Sequence, residues 1–287
     1  MKVTVLQPSG YCSGVERAMK MAIETKINNP TKNVVVLGML VHNEDSLKTL
    51  EKHGIKTIYK QNCSYEQLIN QIEEPSIVVL TAHGHSLALE DKLAKLGHQI
   101  VDATCPFVNN AFNEIKKSLH KDLYVFYIGI KNHPEANAAL SISNKVLLID
   151  AKEKNIPKVK CDTPIVISQT TLSRFETEKI NDLIKQSYPN AQILNGICNA
   201  STKRQEALMT LENDVDLIYI VGGLNSNNSK TLFNLAKSLY PNKKVLQIQN
   251  ASEINKKDLK GLSNIAISSG ASTPKEIIEE IKSKLSN

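Results

Sequence analysis

Three cysteines, Cys12, Cys105 and Cys198, stand 93 residues apart in matched local settings. Each follows an apolar run (residues 3–6, 99–101 and 191–194), sits in a short turn, and precedes an apolar-periodic helical pattern. A thiol at the first turn of a helix meets free N–H groups and the positive end of the helix dipole, which favour the thiolate, the ligand form. Structural zinc normally takes four protein ligands, whereas an iron-sulfur cube held by three cysteines leaves one iron open. Ligand softness favours the cluster over a zinc ion with water in the fourth position. Open coordination means chemistry at the metal.

Polar loops recur at corresponding distances from the cysteines. His42, His133 and Ser226 follow them by 28 to 30 residues, and His83, Thr170 and Ser272 by 65 to 74. Glu135, Asn227 and Asn228 lie in the same loops. Singly, a strand-end histidine is more often solvated than catalytic, and Ser/Asn clusters usually cap helices or form turns. Recurrence argues for one shared cavity. Helix N-termini with hydroxyl, amide and imidazole side chains suit a phosphate group, and the absence of a Walker pattern gives no reason to infer a nucleotide.

The elements that must position these residues follow from the hydrophobic pattern. Strands are expected at 2–7, 34–40, 55–59, 77–82, 99–101, 123–130, 146–150, 165–168, 191–194, 217–221, 245–248 and 265–268, nearly all separated by helical periodicity. Val15, Ala18, Met19, Ala22 and Ile23 share one helical face, as do Val108, Ala111, Phe112, Ile115 and Leu119. Asp45 is expected to cap the helix ending at Gly54, Pro106 to open the helix after Cys105, and Ser201 or Thr202 to cap the helix after Cys198. Near-continuous Val/Ile/Leu strands alternating with helices predict α/β domains with mostly parallel sheets covered on both faces. Three pseudo-equivalent domains are expected, at residues 1–97, 98–190 and 191–287; if they meet about a pseudo-threefold axis with the carboxyl ends of their strands inward, the three thiolates converge on one point.

Composition narrows the function classes. The chain has 287 residues, 41% hydrophobic and 22% charged, and contains no apolar run long enough to span a membrane. It opens directly on a strand pattern, which predicts a cytoplasmic protein without a signal peptide. A net charge of +6, spread along helical faces, argues against nucleic acid and for a small anionic substrate. Five cysteines without a Cys-x-x-Cys pair point away from disulfides and zinc ribbons, and Cys63 and Cys161, in connecting segments, are expected not to be ligands.

The motifs Gly10-Tyr11-Cys12-Ser13-Gly14-Val15-Glu16-Arg17-Ala18, Val41-His42-Asn43, Ala82-His83-Gly84, Asp102-Ala103-Thr104-Cys105-Pro106, His133-Pro134-Glu135, Gln169-Thr170-Thr171, Ile197-Cys198-Asn199-Ala200 with Arg204-Gln205, and Gly270-Ala271-Ser272 span the chain. In this ordered set the chain resembles the 4-hydroxy-3-methylbut-2-enyl diphosphate reductase family of the non-mevalonate isoprenoid pathway. The resemblance implies a trefoil of the three α/β domains around a central [4Fe-4S] iron-sulfur cluster held by Cys12, Cys105 and Cys198, and reductive loss of an allylic hydroxyl to give isopentenyl and dimethylallyl diphosphate. It implies that Glu135 delivers protons with Thr170 and His133 in its relay. It further implies that His42, His83, His133, Ser226, Asn227, Asn228 and Ser272 hold the diphosphate, and that a ferredoxin or flavodoxin supplies electrons. The chain departs from the family pattern at Ser9 (usually Arg), Tyr11 (Phe), Asn195-Gly196 (Asp-Thr), Ser201 (Thr) and Asn227 (Ser), and its approach to the His-Pro-Glu loop, Gly129-Ile130-Lys131-Asn132, is poorer in glycine.

Two other readings compete: a non-redox cluster enzyme using the open iron as a Lewis acid, as quinolinate synthase does, and a diverged iron-sulfur sensor. A requirement for electrons separates the first from a reductase. A sensor has little use for His133-Pro134-Glu135 beside two further polar loops. The cysteine assignment predicts that Cys12→Ser, Cys105→Ser and Cys198→Ser each lose the cluster while Cys63→Ser and Cys161→Ser retain it. Iron and sulfide counts per chain check this, and full clusters in the first three variants contradict it.

Overall fold

The computed structural model describes residues 1–61, 63–72, 75–212 and 214–286. Its strands and helices run β1 (Lys2–Val5), α1 (Ser13–Asn28), β2 (Val34–Leu37), α2 (Glu44–Lys52), β3 (Lys56–Ile58), α3 (Tyr65–Ile69), β4 (Ile77–Leu80), α4 (Leu87–Lys95), β5 (Gln99–Asp102), α5 (Pro106–His120), β6 (Val125–Gly129), α6 (Pro134–Leu140), β7 (Val146–Asp150), β8 (Ile165–Ser168), α7 (Arg174–Ser187), β9 (Gln192–Ile193), α8 (Asn199–Met209), β10 (Leu217–Val221), α9 (Asn227–Leu239), β11 (Lys244–Ile248), β12 (Asn264–Ser269) and α10 (Lys275–Ser286). Among the described residues these strands form three four-stranded sheets, ordered β3-β2-β4-β5, β7-β6-β8-β9 and β1-β12-β10-β11. Every pairing is parallel.

The α/β class and the parallel sheets follow from strand composition. In β6 the period of two sends Val125 and Tyr127 to one face, against α5 and α6, and Phe126 and Ile128 to the other, against α7. In β10, Leu217, Tyr219 and Val221 meet α10 while Ile218 and Ile220 meet α8 and α9. Both faces are apolar because helices cover both.

By packing, the chain divides into two compact units. One comprises Met1–Val15, His42–Ser46 and the chain from Cys198 on; the other comprises Glu16–Val41 and Leu47–Ile197. The divisions expected at 97 and 190 fall one strand early. β5 pairs with β4 and β9 with β8, so each closes the sheet that precedes its cysteine, and β1 joins β12. The reason is the crossover: α4 carries the chain from β4 back to lie beside it, as a parallel pair requires. Gly97, whose φ of +81 ends that helix, reads in sequence as a domain edge but is a turn inside a βαβ unit.

Two caps differ from expectation. Asn43, not Asp45, opens α2, its Oδ1 accepting the N–H groups of Asp45 (2.9 Å) and Ser46 (3.3 Å). Cys198 itself is the N-cap of α8, ahead of Ser201 and Thr202. Pro106 stands at the first position of α5, with Cys105 as N-cap. Two of the three cysteines are thus helix caps.

Candidate active site

In the unit that contains Leu47–Ile197, the loops after β4, β6 and β8 carry His83, His133 with Glu135, and Thr170. His133 caps α6, its Nδ1 accepting the Glu135 N–H at 3.2 Å. The Glu135 side chain does not turn back to cap that helix. Its carboxyl is buried (residue exposure 1%) and meets three donors: Tyr127 OH (3.0 Å) and the Thr170 N–H (2.8 Å) on Oε1, and the Thr170 hydroxyl (2.8 Å) on Oε2. Burial disfavours the charged form and raises the Glu135 pKa from 4.5 to about 7, with the bonds from Thr170 and Tyr127 pulling the other way. A carboxyl so placed titrates near neutral pH.

Backbone contacts hold these loops together. The Ile130 N–H donates to Gln169 Oε1 (2.9 Å), tying the loop after β6 to that after β8, and the Lys131 N–H donates to Asp150 Oδ2 (2.7 Å). Asn132 takes a left-handed φ of +65, which asparagine tolerates better than most residues, so the turn into His133 forms without the family's extra glycine. The His83 and His133 rings meet edge to face at 5.6 Å. The Cys105 N–H donates to the Ala82 carbonyl (3.0 Å), fixing the cysteine turn beside the His83 loop. Gly84, at φ +83, is needed where it stands, since a Cβ there would lie 2.6 Å from the Phe112 ring.

The other unit gathers Cys12, His42, Cys198, Ser226, Asn227, Asn228 and Ser272. A chain of hydrogen bonds joins its two cysteine loops. The Cys12 N–H donates to the Ala271 carbonyl (2.9 Å), the Ala271 N–H to Asn228 Oδ1 (2.9 Å), and Asn228 Nδ2 to the Ser201 hydroxyl (3.1 Å). The Cys198 thiol donates to that hydroxyl (3.2 Å) and accepts the Ser201 N–H (3.4 Å). Serine in place of the family's threonine therefore keeps the hydroxyl that the cysteine uses. Tyr11, another departure, bonds Ser46 Oγ (3.0 Å) and ties the Cys12 turn to the start of α2. Arg204, 2% exposed, donates to the carbonyls of Gly10 (2.7 Å), Ser269 (3.1 Å) and Ala200 (3.1 Å). Burial lowers its pKa, with Cys12 and Cys198 nearby pulling the other way.

The phosphate-type residues of this unit sit at helix N-termini. Ser226 caps α9 through the Ser229 N–H (3.3 Å), and half-buried Asn227 opens that helix. The Ser272 hydroxyl donates to the His42 carbonyl (3.3 Å). Burial and the nearby Lys230 lower the His42 pKa from 6.5 to about 4, so the ring is neutral at neutral pH. An anion bound beside it would raise that value again.

Sequence reasoning missed Tyr127, which it took only as part of an apolar strand, and the Lys230 charge beside His42. A single hydroxyl-bearing aromatic within the otherwise apolar run 125–129 was the available signal for the first. Arg204 was noticed as a motif residue, not as a buried cation.

Each unit thus presents polar side chains at the carboxyl ends of a parallel sheet, the edge at which α/β enzymes carry their chemistry. The LytB protein family profile matches residues 3–286. A 4-hydroxy-3-methylbut-2-enyl diphosphate reductase from Malacoplasma penetrans is 35% identical over 96% of this chain and 93% of that protein. One from Brevibacillus brevis is 34% identical over 98% of this chain and 90% of that protein. The solved structure of the E-1-hydroxy-2-methyl-but-2-enyl-4-diphosphate reductase from Plasmodium falciparum superposes with a TM-score of 0.88 at 26% identity, covering 100% of this chain and 88% of that one. The chain belongs to the LytB protein family.

The raised Glu135 pKa predicts a pH dependence of stability. An acid whose folded pKa lies above its unfolded value binds a proton that the unfolded chain has released, so its contribution falls as pH rises from 4.5 through about 7. His42, depressed to about 4, has the opposite slope between 4 and 6.5 and masks much of this in the native protein. Glu135→Gln isolates the effect. Urea unfolding at pH 8 is expected to show the variant more stable by about 2–3 kcal/mol, with the difference vanishing below pH 5; equal stabilities at pH 8 would contradict a buried, displaced carboxyl.

Proposed function

We propose that the chain reduces (E)-4-hydroxy-3-methylbut-2-enyl diphosphate to isopentenyl and dimethylallyl diphosphate. The observation that carries this reading is the buried Glu135 carboxyl, poised to be neutral at neutral pH, in a chain whose close relatives bear that reductase's name. In the balanced reaction the allylic C–O bond breaks, two electrons enter from an external reductant, one proton completes the departing water, and a second forms the new C–H bond. A ferredoxin or flavodoxin fits the electron requirement, and scattered surface lysines suit an acidic partner.

Cys12, Cys105 and Cys198 would hold a [4Fe-4S] cluster. The fit is supported by chemistry: all three are free thiols, Cys105 and Cys198 stand at helix N-caps, and Cys12 directly precedes α1. Arg204 supports it further. A buried guanidinium bonded only to carbonyls is costly unless anions face it, and thiolates at Cys12 and Cys198 supply that charge. Bound there, the cluster supplies electrons and a Lewis-acidic iron for the hydroxyl oxygen.

The remaining steps belong to the chain's own residues. His42, His83, His133, Ser226, Asn227, Asn228 and Ser272 would bind the diphosphate, with helix N-termini and the Lys230 charge adding to the attraction. Burial of Glu135 keeps the acid protonated until a leaving oxygen needs it. Thr170, 2.8 Å from Oε2, stands to pass that proton on, and His133 fixes the turn that aims the carboxyl.

Glu135→Gln keeps size and hydrogen-bonding reach but removes the transferable proton. The variant is expected to assemble the cluster normally and to turn over about two or more orders of magnitude more slowly. Iron content and anaerobic turnover with reduced viologen measure both. A near-wild-type rate with full cluster content would remove Glu135 from the mechanism.

A further inference from the structure

We propose that Tyr127 is a positioning residue for the proton donor: with the Thr170 N–H it keeps Glu135 Oε1 occupied as an acceptor, so that the acid proton resides on Oε2 and leaves only through the Thr170 hydroxyl. This rests on the reading of Glu135 as the acid. An amide N–H can donate but never accept, so the 2.8 Å contact from Thr170 N bars Oε1 from carrying a proton along that line. Tyr127 OH, 3.0 Å away, takes the second acceptor site of the same oxygen. The phenol is fully buried, and Glu135 Oε1 is its hydrogen-bond partner among the described residues. It keeps its proton, because burial and the adjacent carboxyl both disfavour the phenolate. What remains is Oε2, which accepts the Thr170 hydroxyl at 2.8 Å while the carboxyl is ionised and, once protonated, can donate its own O–H across the same contact as that hydroxyl turns away. As the Thr170 hydroxyl takes that proton it releases its own toward the leaving oxygen, and no charge is left on the threonine.

The fold makes room for the phenol on purpose-sized neighbours. A Cβ on Gly129 would lie 3.0 Å from the Tyr127 ring and 3.2 Å from Ala136, so glycine and alanine together open the slot from β6 to α6. Tyr219 occupies the matching third position of β10, yet among the described residues its buried hydroxyl has no hydrogen-bond partner. The ring alone satisfies packing in such a strand. It is the Tyr127 hydroxyl that has a task. The other titratable groups around Glu135 are His133, on the same helix cap, His83 against the His133 ring, and Cys105, which packs on the apolar cluster containing Tyr127.

The test is an infrared titration of the Glu135 carboxyl in the anaerobically reconstituted full chain, its band assigned by difference from Glu135→Gln. Tyr127→Phe removes one hydrogen bond to the carboxylate, so the midpoint should rise by about one unit. The alkaline limb of the rate profile should move up with it, at unchanged cluster content. 3-Fluorotyrosine placed at 127, a stronger donor of the same shape, should move the midpoint down, a reversal that a packing role cannot produce and that remains measurable if Tyr127→Phe fails to fold. An unchanged midpoint in either folded protein overturns the proposal. If instead Glu135→Gln turns over normally while these midpoints shift as stated, the reading of Glu135 as the acid fails and the Tyr127 contact stands.

Discussion

The proposed proton chemistry of this protein depends on one buried carboxyl. Glu135 is removed from water and then given three donors, a combination in which desolvation outweighs hydrogen bonding and leaves the acid titrating near neutrality. Fewer donors would leave the carboxyl protonated at all physiological pH; fuller solvation would leave it ionised and unable to donate. The three donors come from β6 and from the loop after β8, adjacent strands in one sheet, so the balance is fixed by strand pairing rather than by a mobile loop.

Parallel strands explain why so many functional groups can be assembled this way. Each parallel pair delivers its carboxyl ends to one edge, where the chain must turn into a helix and free N–H groups gather. Histidine at the cap of α6, serine at the cap of α9 and cysteines at the caps of α5 and α8 are four uses of that same geometry. Two of the glycines at strand ends, Gly222 and Gly270, show how tightly the turns close: a Cβ on either would come within 2.3 Å of Ser229 Oγ. Small residues at these points are part of the site.

Much of this was legible in residue types and spacing. Continuous burial of β6 and β10, the α/β alternation and the positions of the loop residues could be read directly, because parallel strands buried on both faces leave an unmistakable Val/Ile/Leu signature. The sheet boundaries could not. A crossover helix ending at Gly97 has the same local pattern as a helix ending a domain, and only the long-range pairing of β5 with β4 distinguishes them. Tyr127 and Arg204 were equally hidden, since a buried aromatic in a strand and an arginine on a polar helix look ordinary until their partners are known. The cap at Cys198 shows the opposite case: its motif was visible, but Ser201 or Thr202 was read as the cap, whereas Cys198 caps the helix and Ser201 serves the cysteine.

The central claim, that this chain is a reductase rather than a non-redox cluster enzyme, is tested most directly by its dependence on electrons. The measurement is anaerobic conversion of (E)-4-hydroxy-3-methylbut-2-enyl diphosphate by the reconstituted chain, with and without reduced viologen. The account predicts isopentenyl and dimethylallyl diphosphate only when the reductant is present, in step with the viologen consumed. Turnover without any reductant, or none with full cluster and reductant supplied, would contradict it.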